Sequence, residues 1–428
     1  MNEENPLTMK DKPANQPLKI CLVGSTYPRH EKDPEVPWLR KSVNLIAARG
    51  HDVTVAVPSF KGLHSHTIDG VRVLRFRYAP ARFEFLTHDQ GAPNKLHNPL
   101  YNLLALPYIL MGIIHLAIWM ARERFDIIHV HWPFPHGLFA VIPARFMGAT
   151  VVSTCHGAEL ALGRKKPWIR KVLGWLLKKS DVCSCNSSHT AAEIKAVSGR
   201  DATVIPYGAT IAIEPALPQP TATDGPATIL FSGRLIQRKG IPYLLRALPL
   251  VQKERPVRLL ITGNGDRRAE WEALAKELRL EDTVEFLGFV SNERLGELYR
   301  NCDLYVHPAI FDDKGDTEGL GVVLIEALMN ERPVVASAVG GIVDVIKHEE
   351  TGLLVPEKNP EALAKAILRV LGDSALAQRL GHAGRQYAEW MFDWTRITDE
   401  TEALYFRALG ISAPTQMSTG GQSMAKAA

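Results

Sequence analysis

The chain has 428 residues, more than one hydrophobic core usually supports, so two domains are expected. A composition that is 46% apolar and 22% charged excludes a disordered or fibrous chain. The formal net charge of +4 is too small to argue for a nucleic-acid partner, and none is expected; attraction to anions must come from local clusters.

Residues 1–17 are polar and lack the charged-then-apolar pattern of a signal peptide, so they read as a flexible N-terminus. From Lys19, β-branched runs alternate with helical patterns: KICLVGS, a helix through Trp38 to Arg49, then HDVTVAVPS. Further strands read at Val71 to Phe76, Ile127 to His131, Val151 to Cys155 and Val182 to Cys185. Such a succession suits a parallel sheet with crossover helices, filling a first domain over 18–212. The cysteines Cys21, Cys155, Cys183, Cys185 and Cys302 are scattered in apolar runs and read as small buried hydrophobes in a reducing, cytoplasmic setting. Cys183 and Cys185 have no second pair at zinc-site spacing.

Two stretches of this domain are compatible with a membrane. Leu103 to Met120 is almost wholly apolar. A true span would put the flanking strands on opposite sides of the bilayer, so a buried or interfacial helix is expected. Residues 164–179 place Trp168, Ile169, Val172, Leu173 and Leu176 on one helical arc, with Arg170, Lys171 and Lys178 largely opposite. This is either a basic amphipathic helix resting on anionic lipid or a core helix with a solvated basic face.

The segment 213–226, EPALPQPTATDGP with its preceding residue, is a linker, since its prolines and small polar residues continue neither helix nor central strand. A second alternation then runs over 227–388: TILFSGR, a helix from Ile241 to Lys253, RLLITGNG, a helix from Asp266 to Leu280, TVEFLGFV, a helix through Arg294, DLYVHPA, RPVVASAVGG and TGLLVPE. A helical pattern continues from Ala375 to Leu409, and the aperiodic tail 411–428 is expected to be disordered.

The densest chemistry is TEGLGVVLIEAL at Thr317 to Leu328, where Glu318 and Glu326 stand eight residues apart. Were the interval mostly helical, the carboxylates would be separated by roughly 12 Å along the axis. A retaining glycosidase pair needs about 5 Å, so these two cannot serve one anomeric carbon in that way. They could grip two ends of a long polar ligand, and the amides around Gly319 and Gly321 at the helix start would favour a phosphate between them. The alternative is that Glu318 caps the helix and Glu326 faces solvent. At Gly233 to Gly240, GRLIQRKG presents Arg234 and Lys239 after a strand, where ligands bind in parallel sheets and where two cations suit a diphosphate.

GRLIQRKG, FLGFV at Phe286 to Val290, EGLGVVLIEAL, RPVVASAVGGIVDVI and TGLLVP resemble, in order and spacing, the C-terminal domain of family 4 (group 1) retaining glycosyltransferases. GHDVTVAVP at Gly50, HVHWPFPHG at His129, CHGAEL at Cys155 and VIPYGA at Val204 extend the resemblance through the first domain. It implies an α/β chain of two facing Rossmann-like domains, the GT-B architecture, with an inter-domain cleft and a C-terminal helix, 389–410, returning to the first domain. It also implies a nucleotide-diphosphate sugar as donor, with no metal required. Arg234 and Lys239 would hold the diphosphate and Glu326 the ribose, while the backbone at Phe289 and Val290 would face the base. Glu318 would lie by the transferred sugar, along the loop of Gly319, Leu320, Gly321 and Val322. His156 would reach the donor sugar, and Gly24 would let the first domain approach the phosphates. Retention, by attack from the face the phosphate leaves, is likewise implied. Tyr27 and the bulky charged loop after it depart from the glycine pair of many relatives, and Leu320 stands where an aromatic residue is frequent. The acidic DDKGD at Asp312 to Asp316 reads as a donor-side surface loop.

With two membrane-compatible stretches on one domain, the acceptor is expected to be lipid-linked or a polysaccharide or cell-envelope precursor, and the enzyme peripheral on the cytoplasmic face of an anionic membrane. Competing readings are a same-fold sugar-nucleotide epimerase and a non-catalytic nucleotide-binding module. A dinucleotide oxidoreductase is disfavoured because GNGD at Gly263 lacks the third fingerprint glycine.

Overall fold

The alternating pattern resolves into two sheets in a computed structural model that describes residues 16–87, 99–209 and 225–412. The expectations for the N-terminus, the linker 213–226 and the tail 411–428 fall almost entirely outside these residues. The chain divides into one unit comprising residues up to Cys185, Ala191–Ile205 and residues from Trp394 onward, and a second comprising Asn186–Thr190 and Pro206–Asp393.

In chain order the first elements are β1 (Lys19–Val23), α1 (Pro37–Ala48), β2 (Asp52–Pro58), β3 (His66–Ile68), β4 (Val71–Phe76), α2 (Pro99–Arg122) and β5 (Ile127–His131). There follow α3 (Pro133–Met147), β6 (Thr150–Cys155), α4 (Ala158–Lys165), α5 (Pro167–Lys179), β7 (Val182–Cys185), α6 (Ser188–Ser198) and β8 (Thr203–Val204). The sheet order is β3-β4-β2-β1-β5-β6-β7-β8. Every pairing is parallel except β3 with β4, a hairpin turned through Asp69 and Gly70 at φ 52 and 79. Two consecutive left-handed residues are what a two-residue hairpin turn needs.

Both faces of this sheet are covered, which explains its near-continuous apolar strands. On one face, α1 and α14 (Trp394–Leu409) share a core built from Leu39, Val43, Ile397, Leu404 and Phe406. The C-terminal helix is thus part of the first unit. His51 pins it there: Nδ1 accepts the Leu18 amide at 3.0 Å, leaving Nε2 to donate to Glu402 at 2.8 Å. On the other face, α2 and α3 pack through Tyr108, Leu116, Met120 and Phe139.

The structure revises the expectation for 164–179. In α5 the residues Ile169, Leu173, Leu176 and Leu177 are buried, so the arc is core; Trp168 separates from it and is exposed together with Trp175. In α2, one face is buried and the other is exposed, so it is not a fully enclosed core helix.

The second unit contains β9 (Ala227–Ser232), α7 (Ile241–Gln252), β10 (Val257–Thr262), α8 (Arg268–Glu277), β11 (Val284–Gly288), α9 (Asn292–Asn301) and β12 (Leu304–His307). It continues with α10 (Val322–Met329), β13 (Val334–Ser337), α11 (Ile342–Val345), β14 (Leu353–Val355), α12 (Pro360–Gly372) and α13 (Ser374–Met391). Its six strands are all parallel, in the order β11-β10-β9-β12-β13-β14. The helical stretch expected from Ala375 breaks in two because α13 ends at Met391 and α14 starts at Trp394. In each sheet the strand order reverses once, between β1 and β5 and between β9 and β12. Ligands of open parallel sheets bind at the carboxyl ends of strands flanking such a reversal.

Candidate functional site

At the reversal of the second sheet, β9 ends at Ser232, and the chain loops through Arg234 into a short 3₁₀ turn, Gln237–Lys239. Gly240 closes that turn at φ 65, and a Cβ there would lie 1.9 Å from the Pro308 carbonyl oxygen. Only glycine permits this approach, which seats the turn against the end of β12.

The turn points Lys239, 6% exposed, at Glu318, and the two form a buried ion pair. Arg238 also reaches Glu318, with Nη1 3.4 Å from Oε1, while donating to the Thr317 carbonyl at 2.7 Å. His307, fully buried at the end of β12, places Nε2 3.2 Å from Glu318 Oε2 and stacks on Phe231. Burial alone would raise the Glu318 pKa, but the charges of Lys239 and Arg238 and the His307 bond outweigh it and hold it well below the ordinary range. Burial, then the Lys239 charge, brings His307 down to about 4. At neutral pH the imidazole is therefore uncharged and donates Nε2–H to an ionised Glu318. Arg234 is exposed and makes no ion pair among the described residues.

Glu318 lies in a loop, not in a helix: α10 begins only at Val322, after Gly321 at φ 88. Only the second half of the interval to Glu326 is helical, and the helical spacing assumed from sequence does not apply. Behind the loop, a Cβ on Gly340 would come within 2.2 Å of the Glu318 carbonyl oxygen, and one on Gly341 within 2.1 Å of that of Gly319. The glycine pair thus lets the loop lie flat on its neighbour. Among the described residues no side-chain hydrogen bond caps the start of α10. Leu320 is buried and Val322 half-buried. Glu326 is buried rather than solvent-facing and accepts the Tyr299 hydroxyl at 3.2 Å. Phe289, just past β11, is 86% exposed, and Val290 is half-buried. The acidic loop folds on itself: Asp312 Oδ1 accepts the amides of Lys314 and Asp316 at 2.8 and 2.9 Å.

The first sheet carries a second cluster at its own reversal. His156 follows β6, and its Nε2 lies 2.9 Å from His131 Nδ1 at the end of β5. Trp38 and Trp132 pack on the His156 ring with centroids 5.0 and 4.7 Å away. The His156 amide donates to Glu159 Oε1 at 2.8 Å. Burial lowers the His156 pKa to about 3 and raises that of Glu159 to about 7. Gly24 follows β1 beside Trp132, where an added Cβ would meet the indole at 3.6 Å.

The second unit brings Arg234, Lys239, Glu318 and the Gly319–Val322 loop into one neighbourhood, and the first brings Gly24 and His156 into another. Sequence reasoning missed Arg238, His307, Trp38, Trp132, His131 and Glu159. Chemically, the second cluster is an ionised carboxylate held among cations, next to an exposed guanidinium and an uncapped helix start. It can receive an anion and hydroxyl groups together. The first offers a neutral imidazole on an aromatic wall, suited to a sugar face.

Residues 214–387 match the family described as Glycosyl transferases group 1, and residues 42–212 match Glycosyltransferase Family 4. Over 297 residues the chain is 31% identical to the phosphatidyl-myo-inositol mannosyltransferase of Mycobacterium leprae, covering 67% of this chain and 75% of that one. It is 29% identical over 414 residues to the glycogen synthase of Mycobacterium tuberculosis, covering 91% and 95%. Among solved structures, sucrose-phosphate synthase from Thermosynechococcus elongatus superposes with a TM-score of 0.72 at 24% identity, over 92% of this chain and 100% of the other.

Proposed function

Since the chain belongs to the group 1, family 4 glycosyltransferases, we propose that its second unit binds a nucleotide-diphosphate sugar whose glycosyl group passes, with retention, to a lipid-linked or cell-envelope polysaccharide acceptor. The observation that carries this reading is the Glu318 carboxylate, kept ionised by Lys239, Arg238 and His307 at the strand reversal, with Arg234 exposed beside it.

Arg234 and Lys239, with the amides from Gly319 to Val322, meet the diphosphate; Glu318 faces the sugar hydroxyls, Glu326 the ribose, and the chain at Phe289 and Val290 the base. Lys239 pairs with Glu318, so in this reading one buried lysine serves both the carboxylate and the phosphate. Gly24 and His156 serve the phosphates and the reacting end of the sugar. In the transfer, the bond from the anomeric carbon to the β-phosphate oxygen breaks. The acceptor hydroxyl oxygen bonds to that carbon on the same face, and its proton goes to the departing phosphate. Cations preorganised around developing negative charge supply the stabilisation, each worth on the order of 10²-fold in rate. No metal is needed to supply that charge. The name of the mycobacterial mannosyltransferase supports a lipid acceptor and that of the glycogen synthase a glycan one. The enzyme works in the cytoplasm, at the inner face of a membrane.

The test is a screen of nucleotide sugars with membrane lipid and glycan extracts as acceptors, following nucleotide release and fixing the product anomer by NMR. Transfer with retention is expected. Inversion, or interconversion of two sugar nucleotides without acceptor, would defeat the proposal.

A further inference from the structure

We infer that the flank of the first unit formed by α2, α3 and α5 is a docking surface for an anionic lipid bilayer, with Arg145 and Lys179 receiving a phosphate headgroup. This surface presupposes the membrane-borne acceptor proposed above and specifies how the protein meets that membrane.

The stretch Leu103–Arg122 of α2 has a mean hydropathy of 2.1, yet only 22% of that window is buried. A core helix of such composition would be enclosed. Its inner face is committed to the fold: Tyr108, Leu116 and Met120 are buried, and Phe139 of α3 presses on Gly112 so closely that a Cβ there would lie 2.6 Å from the ring. Its outer face carries Leu103, Leu106, Leu110, Ile114 and Ile118, 41–73% exposed. Steps of three and four residues place these five on a single stripe about 22 Å long. Packed on α2, α3 exposes Ile142, Phe146 and Met147, and α5, packed on α3, exposes Trp168 and Trp175. Soluble monomers seldom expose contiguous apolar surface beyond a few hundred Å².

The charges on this flank select the occupant. Lys171, Lys178 and Lys179 lie on the exposed side of α5, Arg145 is exposed on α3, and none of the four makes an ion pair among the described residues. Nearby acids are engaged: Glu123 by Arg72, Glu193 by Arg164, and Asp181 by the Val151 amide. Between the ends of α3 and α5 lies a groove of about 310 Å³, lined by Ile142, Phe146 and Trp175 with Arg145, Lys179 and Asp181. Two cations over an apolar wall match a phosphate above acyl chains, and tryptophans among lysines suit the headgroup boundary. A symmetric pairing with a second copy would instead set this basic patch against itself.

The placement also serves the reaction. Tyr108, in the first half of α2, bonds to His136 at 2.8 Å, and His136 to the Trp132 carbonyl at 2.8 Å. Trp132 in turn packs on His156. The first half of α2 is therefore tied to the strand ends that carry His156, where a lipid-borne acceptor would be presented.

The full chain should co-float with vesicles of equimolar phosphatidylcholine and phosphatidylglycerol at least tenfold more than with phosphatidylcholine alone, and should detach as salt rises. Leu106→Glu/Leu110→Glu and Arg145→Glu/Lys179→Glu replace exposed side chains, so melting should be unchanged while flotation falls tenfold or more. Nucleotide release from the donor without acceptor should stay at the parent rate in both variants. Equal flotation with neutral vesicles, undiminished binding by either variant, or a solution dimer that Leu106→Glu separates in place of vesicle binding would overturn the surface. Flotation needs no acceptor, so it can fail while the transfer reaction stands, and the reverse.

Discussion

Replacing Lys239 by methionine should destabilise the second unit by about 3 kcal/mol, the low end of what breaking one side of a buried ion pair costs. The low end applies because Glu318 would keep Arg238 at 3.4 Å and His307 at 3.2 Å. For a unit of this size that loss lowers the melting temperature by roughly 6–12 °C. Adding Glu318→Gln removes the stranded charge, so the double variant should recover about 2 kcal/mol relative to the sum of the singles. The acid limb gives a second reading. Glu318 has a depressed pKa when folded, so the stability its ionisation confers is present above the ordinary glutamate value and is lost as pH falls toward the lower folded value. Lys239→Met removes the largest depressing charge and should flatten that acid loss. Calorimetry of the ligand-free protein from about pH 3 to about pH 8, following the second unit's transition, measures both effects. A Lys239→Met protein within about 1 kcal/mol of the parent, or strictly additive singles, would refute the buried-pair reasoning.

Other outcomes follow from the same geometry. Glu159 has a pKa raised to about 7 by burial, so its contribution is full below the unfolded value and declines as pH rises toward 7. Glu159→Gln should then leave stability near pH 4 unchanged and raise that of the first unit at pH 8 by up to roughly 3 kcal/mol, read by urea unfolding. Gly240→Ala drives a Cβ to 1.9 Å from a carbonyl oxygen at a left-handed φ. It should cost more than about 2 kcal/mol and weaken nucleotide binding through displacement of Lys239, measured by melting and calorimetric titration.

The strands were legible because parallel sheets covered on both faces write continuous β-branched runs, and the sites were legible where charges follow such runs, as Arg234 and Lys239 do. His307 ends the run DLYVH in the same way and carries the same signal. Arg238 was hidden by adjacency: sequence does not say which neighbour of Lys239 turns inward. The hairpin of β3 has its signal in Asp69–Gly70 between apolar residues. Helical periodicity misassigned Trp168 because it ranks residues by arc, and what decided its exposure was which neighbours α5 packs on. The Glu318 to Glu326 spacing misled for a related reason. Gly321 sets the helix start, and the bed for the preceding loop comes from Gly340 and Gly341, distant in sequence.

The central claim is that the cationic cluster of the second unit holds the donor diphosphate. Calorimetric titration of the parent and of Arg234→Ala with whichever of UDP, GDP or ADP the parent binds most tightly tests it most directly. Because Arg234 is exposed and makes no ion pair among the described residues, the account predicts unchanged melting and an affinity lowered by about ten- to a hundredfold, the loss of one charge-assisted contact. Undiminished affinity in Arg234→Ala would contradict it.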